Sequence, residues 1–124
     1  MSVSRAAAPP EWIDYFVSPL GFYYDDLLPF AIGSAAFDNW LLWKASTPGS
    51  PIIDGFGVTT VVYQSYDYSH HVQGQEGVRE GAGAYCDREL MGGWHHCFFL
   101  SDATHGLTTN ALRLSLRYEY FRLR

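Results

Sequence analysis

No apolar run in this chain approaches the roughly 20 residues that a helix needs to cross a bilayer, so a membrane-spanning helix is not expected. Basic residues are scarce too. Eight Lys and Arg against 13 Asp and Glu leave a formal net charge of -5, and a chain of that sign offers a phosphodiester no electrostatic attraction; nucleic acid is not an expected partner. Residues 1–10 hold one basic side chain, Arg5, and no apolar stretch long enough for a secretory signal, which points to a cytoplasmic location. Cysteine is limited to Cys86 and Cys97, the second preceded by His95 and His96. That spacing fits none of the usual paired zinc patterns and reads as buried thiols beside partly exposed histidines, with a disulfide allowed by count alone.

What the chain does have is apolar and aromatic mass. Of its 124 residues 48% are hydrophobic and 17% aromatic, against 17% charged, which is enough for a modest core in one domain and too much for a disordered chain. An aromatic excess with sparse charge implies either a cleft lined for a flat or sugar-like ligand, or a face normally covered by another domain.

The organising stretch runs from Pro29 to Lys44. Gly33 and Ser34 read as a turn and an N-cap, and Phe37, Trp40 and Leu41 recur at helical spacing, so a short helix with one apolar face is predicted from about 35 to 45. Asp38 falls in its first turn, where the helix dipole favours a carboxylate. That placement suits a catalytic base held on a rigid element and equally suits an ordinary helix start.

Elsewhere, residues 1–11 read as a flexible lead-in and 12–124 as a single domain. Strands are expected at 12–17, at Ile52-Ile53-Asp54, at 58–63 and at 94–100, and turns at 47–51 and 55–57. Asp25 and Asp26 are adjacent, so on a strand they would point to opposite faces; they read as part of a solvated loop instead of a metal pair. Residues 72–83, rich in Gly, Gln and Glu, read as a mobile loop, with one or two helical turns at 86–91 stopped by Gly92-Gly93. From Leu112 to Tyr120 every second residue is apolar, which argues for a strand. Leu and Arg are good helix formers and Thr108, Thr109 and Asn110 offer a cap, which tips the reading to helix.

The segments Ile32-Gly33-x-x-x-x-Asp38-Asn39-Trp40, Pro51-Ile52-Ile53-Asp54, Asp67-Tyr68-Ser69-His70, Gly92-Gly93-Trp94 and Asp102-Ala103-Thr104-His105, in this order, resemble the C-terminal half of family 2-like glycosyltransferases of the nucleotide-diphospho-sugar (GT-A) fold. The resemblance spans about residues 14–112. It implies an α/β domain, an incomplete GT-A-like half with a few-stranded sheet and short helices. It also implies a function, the acceptor-binding and catalytic-base half of a nucleotide-sugar-dependent transfer enzyme. Asp38 matches the carboxylate that deprotonates the acceptor hydroxyl; Asn39, Asp67, His70 and His105 match polar positions on the acceptor or diphosphate side.

In such enzymes the Asp-x-Asp metal motif belongs to the N-terminal half, and this chain has no Asp-x-Asp. The implied partners are therefore a nucleotide-sugar-binding half, as a separate chain or a segment not included, and a carbohydrate acceptor. No metal is expected on this chain by itself; Mg²⁺ or Mn²⁺ would accompany the other half. Without that half, exposed apolar surface and self-association are expected. The alternative reading is a non-catalytic remnant, or a module that binds a glycan or a protein through its aromatic surface.

Overall fold

The computed structural model describes residues 13, 15–34, 36–59, 68–69 and 71–115. They form a small α/β domain: α1 (Phe37–Ser46), β1 (Ile53–Asp54), α2 (Gly74–Glu80), α3 (Ala82–Met91), β2 (His105–Leu107) and β3 (Leu112–Leu114). The sheet has the order β1-β2-β3. β1 pairs parallel with β2 in the register Ile53 to His105 and Asp54 to Gly106, and β2 pairs antiparallel with β3. A parallel pair needs a crossover of a dozen or more residues, and the stretch that carries it includes α2 and α3.

Helix α1 is the hub. Leu42 joins Ile13, Ile52 and Ala103 in one buried cluster, while Ala36, Trp40 and Leu41 join Met91 of α3 in a second, with Phe30 and Phe37 packed against it. The predicted apolar face is present, and Leu42 extends it so that the helix contributes to both clusters. Trp40 is 3% exposed, and its ring centroid lies 5.2 Å from Phe30 and 6.2 Å from Trp43. The Tyr23 hydroxyl donates to the Leu41 carbonyl at 3.0 Å, tying the turns before the helix onto it. Burial raises the Tyr23 phenol above its ordinary range.

The start of α1 differs from the predicted Ser34 cap. Ala36 occupies the N-cap with φ 84° and no side-chain hydrogen bond, and the helix opens at Phe37. Ser34 is drawn instead onto α3, where a Cβ at Gly83 would stand 2.8 Å from its Oγ. The same docking brings the Ala31 amide to Asp87 Oδ1 at 2.7 Å. Asp87 is 1% exposed, and its other oxygen has no hydrogen-bond partner among the described residues.

Residues 72–83 correct the expectation of a mobile loop, since α2 and the start of α3 lie there. Their glycines serve close packing. Gly77 is buried, and a Cβ on it would collide with the His71 ring. Helix α3 is also longer than the turn or two predicted, and it ends as expected at Gly92, in the left-handed region at φ 83°.

Residues 94–100 form no strand. Trp94–His96 and Leu100–Asp102 are 3-10 turns, and between them the Phe98 amide donates to the Asn39 carbonyl of α1, so the backbone is satisfied by a helix instead of a sheet partner. At 112–114 the alternating pattern prevailed over helix propensity, because pairing with β2 was available. Tyr15, Phe16 and Val17 are exposed and not in a strand, and Val58 lies in a turn. The remainder of the predicted strand at 58–63, the lead-in at 1–11 and the tail from 116 lie outside the described residues. Asp25 and Asp26 are in the exposed turn the sequence suggested, and Asp26 pairs with Lys44 at 3.5 Å.

Two expectations follow from the packing. Trp40→Ala should lose about 3–5 kcal/mol in urea unfolding, whereas Trp94→Ala, at a side chain 73% exposed, should stay within about 0.5 kcal/mol; equal effects would contradict the placement of the second cluster. Asp87→Ala should cost about 1–3 kcal/mol by stranding the Ala31 amide. Asp87→Asn keeps that acceptor, so the same unfolding experiment should show the smaller loss for Asn.

Candidate functional site

Asp38 is half-buried in the first turn of α1. Its Oδ1 accepts the amide of Asn39 at 3.0 Å, which fixes the carboxylate against the helix start. Asn39 turns the other way. Its Nδ2 donates to the Phe98 carbonyl at 2.8 Å while its own carbonyl accepts the Phe98 amide at 3.2 Å, so a two-bond clip holds residues 97–99 beside the helix. The Asn39 side chain thus braces the protein through one of its two amide protons.

The clip brings Cys97 close to Asp38. Burial pushes the Cys97 thiol above its ordinary range, and the negative charges of Asp38 and Asp102 push it further in the same direction. Asp102 also accepts the Phe99 amide through Oδ2 at 2.9 Å. A carboxylate on a rigid helix start, beside a neutral thiol, can accept a proton from a hydroxyl presented to it. Sequence reading missed Cys97 as a neighbour of Asp38, because it is 59 residues away in the chain and is brought there by the Asn39–Phe98 clip and by packing against the second cluster.

His105 sits elsewhere, on β2, in an open groove of about 520 Å³ along the sheet whose lining also includes Asp54, Phe56, Leu100, Gly106 and Arg113 but neither Asp38 nor Asn39. Thr104 Oγ1 accepts the Ile52 amide at 2.9 Å and lies 2.8 Å from His105 Nδ1. The Ile52 carbonyl already accepts the amides of Thr104 and His105, at 2.9 and 3.0 Å. Thr104 Oγ1 also donates to that carbonyl, at 3.1 Å. Asp67 and His70 lie outside the described residues. Asp38 and Asn39 are thus together and His105 is apart from them, in a separate recess.

Near the other end of the same segment His96 stacks on Trp43 with centroids 3.7 Å apart, and its Nδ1 meets the Met91 carbonyl at 2.6 Å. Among the described residues no group of three or more His, Cys, Asp or Glu side chains converges to hold a metal ion. Cys86 and Cys97 are free thiols; Cys86 is exposed and Cys97 half-buried, where the sequence suggested two buried ones. No described helix is long and apolar enough to cross a membrane.

The thiol supplies a check on this geometry that needs no activity. In a Cys86→Ser background, Cys97 should react with iodoacetamide more slowly than an unfolded control near pH 8, because its thiolate forms only above the usual thiol range. Asp38→Asn removes one of the charges that raise it and should speed the reaction at the same pH; an unchanged rate would separate the two residues. By linkage, the unfolded chain releases the Cys97 proton first, so this group's contribution to stability is complete below the ordinary thiol pKa and declines as pH rises through the folded one.

Comparison of the chain with protein-family models, curated proteins and solved structures finds no match.

Proposed function

We propose that this chain is the acceptor-binding and catalytic-base half of a glycosyltransferase of the GT-A type, completed by a nucleotide-sugar-binding half on another segment or chain. The observation that carries the reading is Asp38 itself, half-buried, oriented by the Asn39 amide and mounted on the helix that both hydrophobic clusters hold in place. An acceptor hydroxyl is a poor nucleophile until a positioned carboxylate takes its proton as attack proceeds, and the first turn of a firmly packed helix provides such positioning. In this role Asp38 is the base, Asn39 positions the 97–99 segment, and Cys97 stays a neutral neighbour. Asp67 and His70 are proposed for the diphosphate or acceptor side on the resemblance alone. Mg²⁺ or Mn²⁺ would be held chiefly by the other half, and on binding would supply charge neutralisation for the leaving diphosphate.

A second reading, a glycan- or protein-binding module without transfer activity, is favoured by the exposed aromatic side chains Tyr15, Tyr24, Tyr85 and Trp94. One experiment separates the two. The chain is co-expressed with a nucleotide-binding half bearing an Asp-x-Asp motif, and transfer from nucleotide sugars is assayed with Mg²⁺ and with Mn²⁺. Asp38→Asn should lower turnover by about 10²–10⁴-fold with little change in acceptor affinity. Retention of transfer in the variant would remove Asp38 from the mechanism, and ligand capture without any transfer would favour the binding module.

A further inference from the structure

The pairing register aligns Asp54, Gly106 and Arg113 in one row across the three strands, and cross-strand partners share a face of the sheet. Neighbouring strands are about 4.8 Å apart, so the carboxylate and the guanidinium stand about 10 Å apart at their backbones, on either side of a bare glycine. Nothing lies within 4 Å of where a Gly106 side chain would begin. Asp54 gives Oδ1 to the Phe56 amide at 2.8 Å, and no other hydrogen bond to its carboxylate occurs among the described residues. The Arg113 guanidinium has no hydrogen-bond or ion-pair partner among them. Phe56, 45% exposed, stands at the rim.

A carboxylate that wants donors, a fork of donors that wants acceptors, an aromatic rim and zero net charge suit a neutral ring whose hydroxyls both donate and accept. The 3-10 turn Leu100–Asp102 links this groove to the other site. Leu100 lines the groove, while Phe98, two residues earlier, is clipped to Asn39 beside Asp38.

From this juxtaposition we infer that the Asp54–Gly106–Arg113 row is a second sugar subsite. The acceptor is then an oligosaccharide, with its reacting residue at Asp38 and a further residue on the sheet. The inference rests on the acceptor-half reading and specifies the acceptor as a chain of at least two sugars. Asp54 and Arg113 are binding residues here, remote from the proton transfer.

The test is a titration of the isotope-labelled chain followed by NMR, using maltotriose, cellotriose and chitotriose beside the methyl glycosides of glucose and N-acetylglucosamine. At least one trisaccharide should shift the Gly106 and Phe56 amides saturably, with an affinity at least tenfold above that of its single-sugar counterpart. Asp54→Ala and Arg113→Ala should each weaken that trisaccharide by about tenfold, the scale of one lost charge-assisted hydrogen bond, with unchanged circular dichroism.

Equal affinity for one sugar and three, or variants without effect, would overturn the subsite. Shifts confined to the neighbourhood of Asp38 would overturn it while supporting the acceptor-half reading. Absence of any saturable shift would also overturn it, and the Asp38 reading would then rest on the transfer assay alone.

Discussion

Burial of α1 in two apolar clusters at once is the constraint on which the other elements depend. A ten-residue helix has little stability in water by itself, so its existence depends on the side chains that cover it. Trp40 and Leu41 take that cover from α3 and the turns before α1, Leu42 takes it from the sheet side, and Asn39 is left to face the 97–99 segment. Elements distant in sequence are positioned because each completes part of that shell. Asp38 inherits its rigidity from the shell, since a residue two positions from Trp40 on the same helix cannot move far without disturbing it.

Local features of the chain were readable and relational ones were not. The helix around Asp38 followed from the spacing of Phe37, Trp40 and Leu41, the short strand at Ile53 from its β-branched residues, and the end of α3 from Gly92. Three misreadings share one cause, the dependence of a residue's meaning on what approaches it. Gly77 and Gly83 looked like flexibility and are positions where a ring or a hydroxyl leaves no room for a Cβ. Ser34 looked like a cap and was recruited by α3. The apolar run at 94–100 looked like a strand, yet its backbone found a helix carbonyl first.

The sites divide along the same line. Asp38 could be singled out because a carboxylate in a first helical turn is a local pattern. The proximity of Cys97 to it, and the alignment of Asp54 with Arg113, depend on tertiary packing and on strand register, neither of which composition or periodicity encodes. Asn39 shows how a local pattern can hide a structural bond: one of its side-chain N–H groups holds Phe98 beside the helix.

The Ile52 carbonyl receives the amides of both Thr104 and His105, while the Ile52 side chain lies in the cluster shared with Leu42. One peptide group thus anchors the first residues of the central strand and a wall of the hydrophobic interior together. Opening there releases both amides in a single event, so their hydrogen-exchange protection should rise and fall as a pair. Any molecule that settles on the sheet beside His105 would then slow exchange in a region it does not touch, coupling occupancy of the groove to the cohesion of the whole domain.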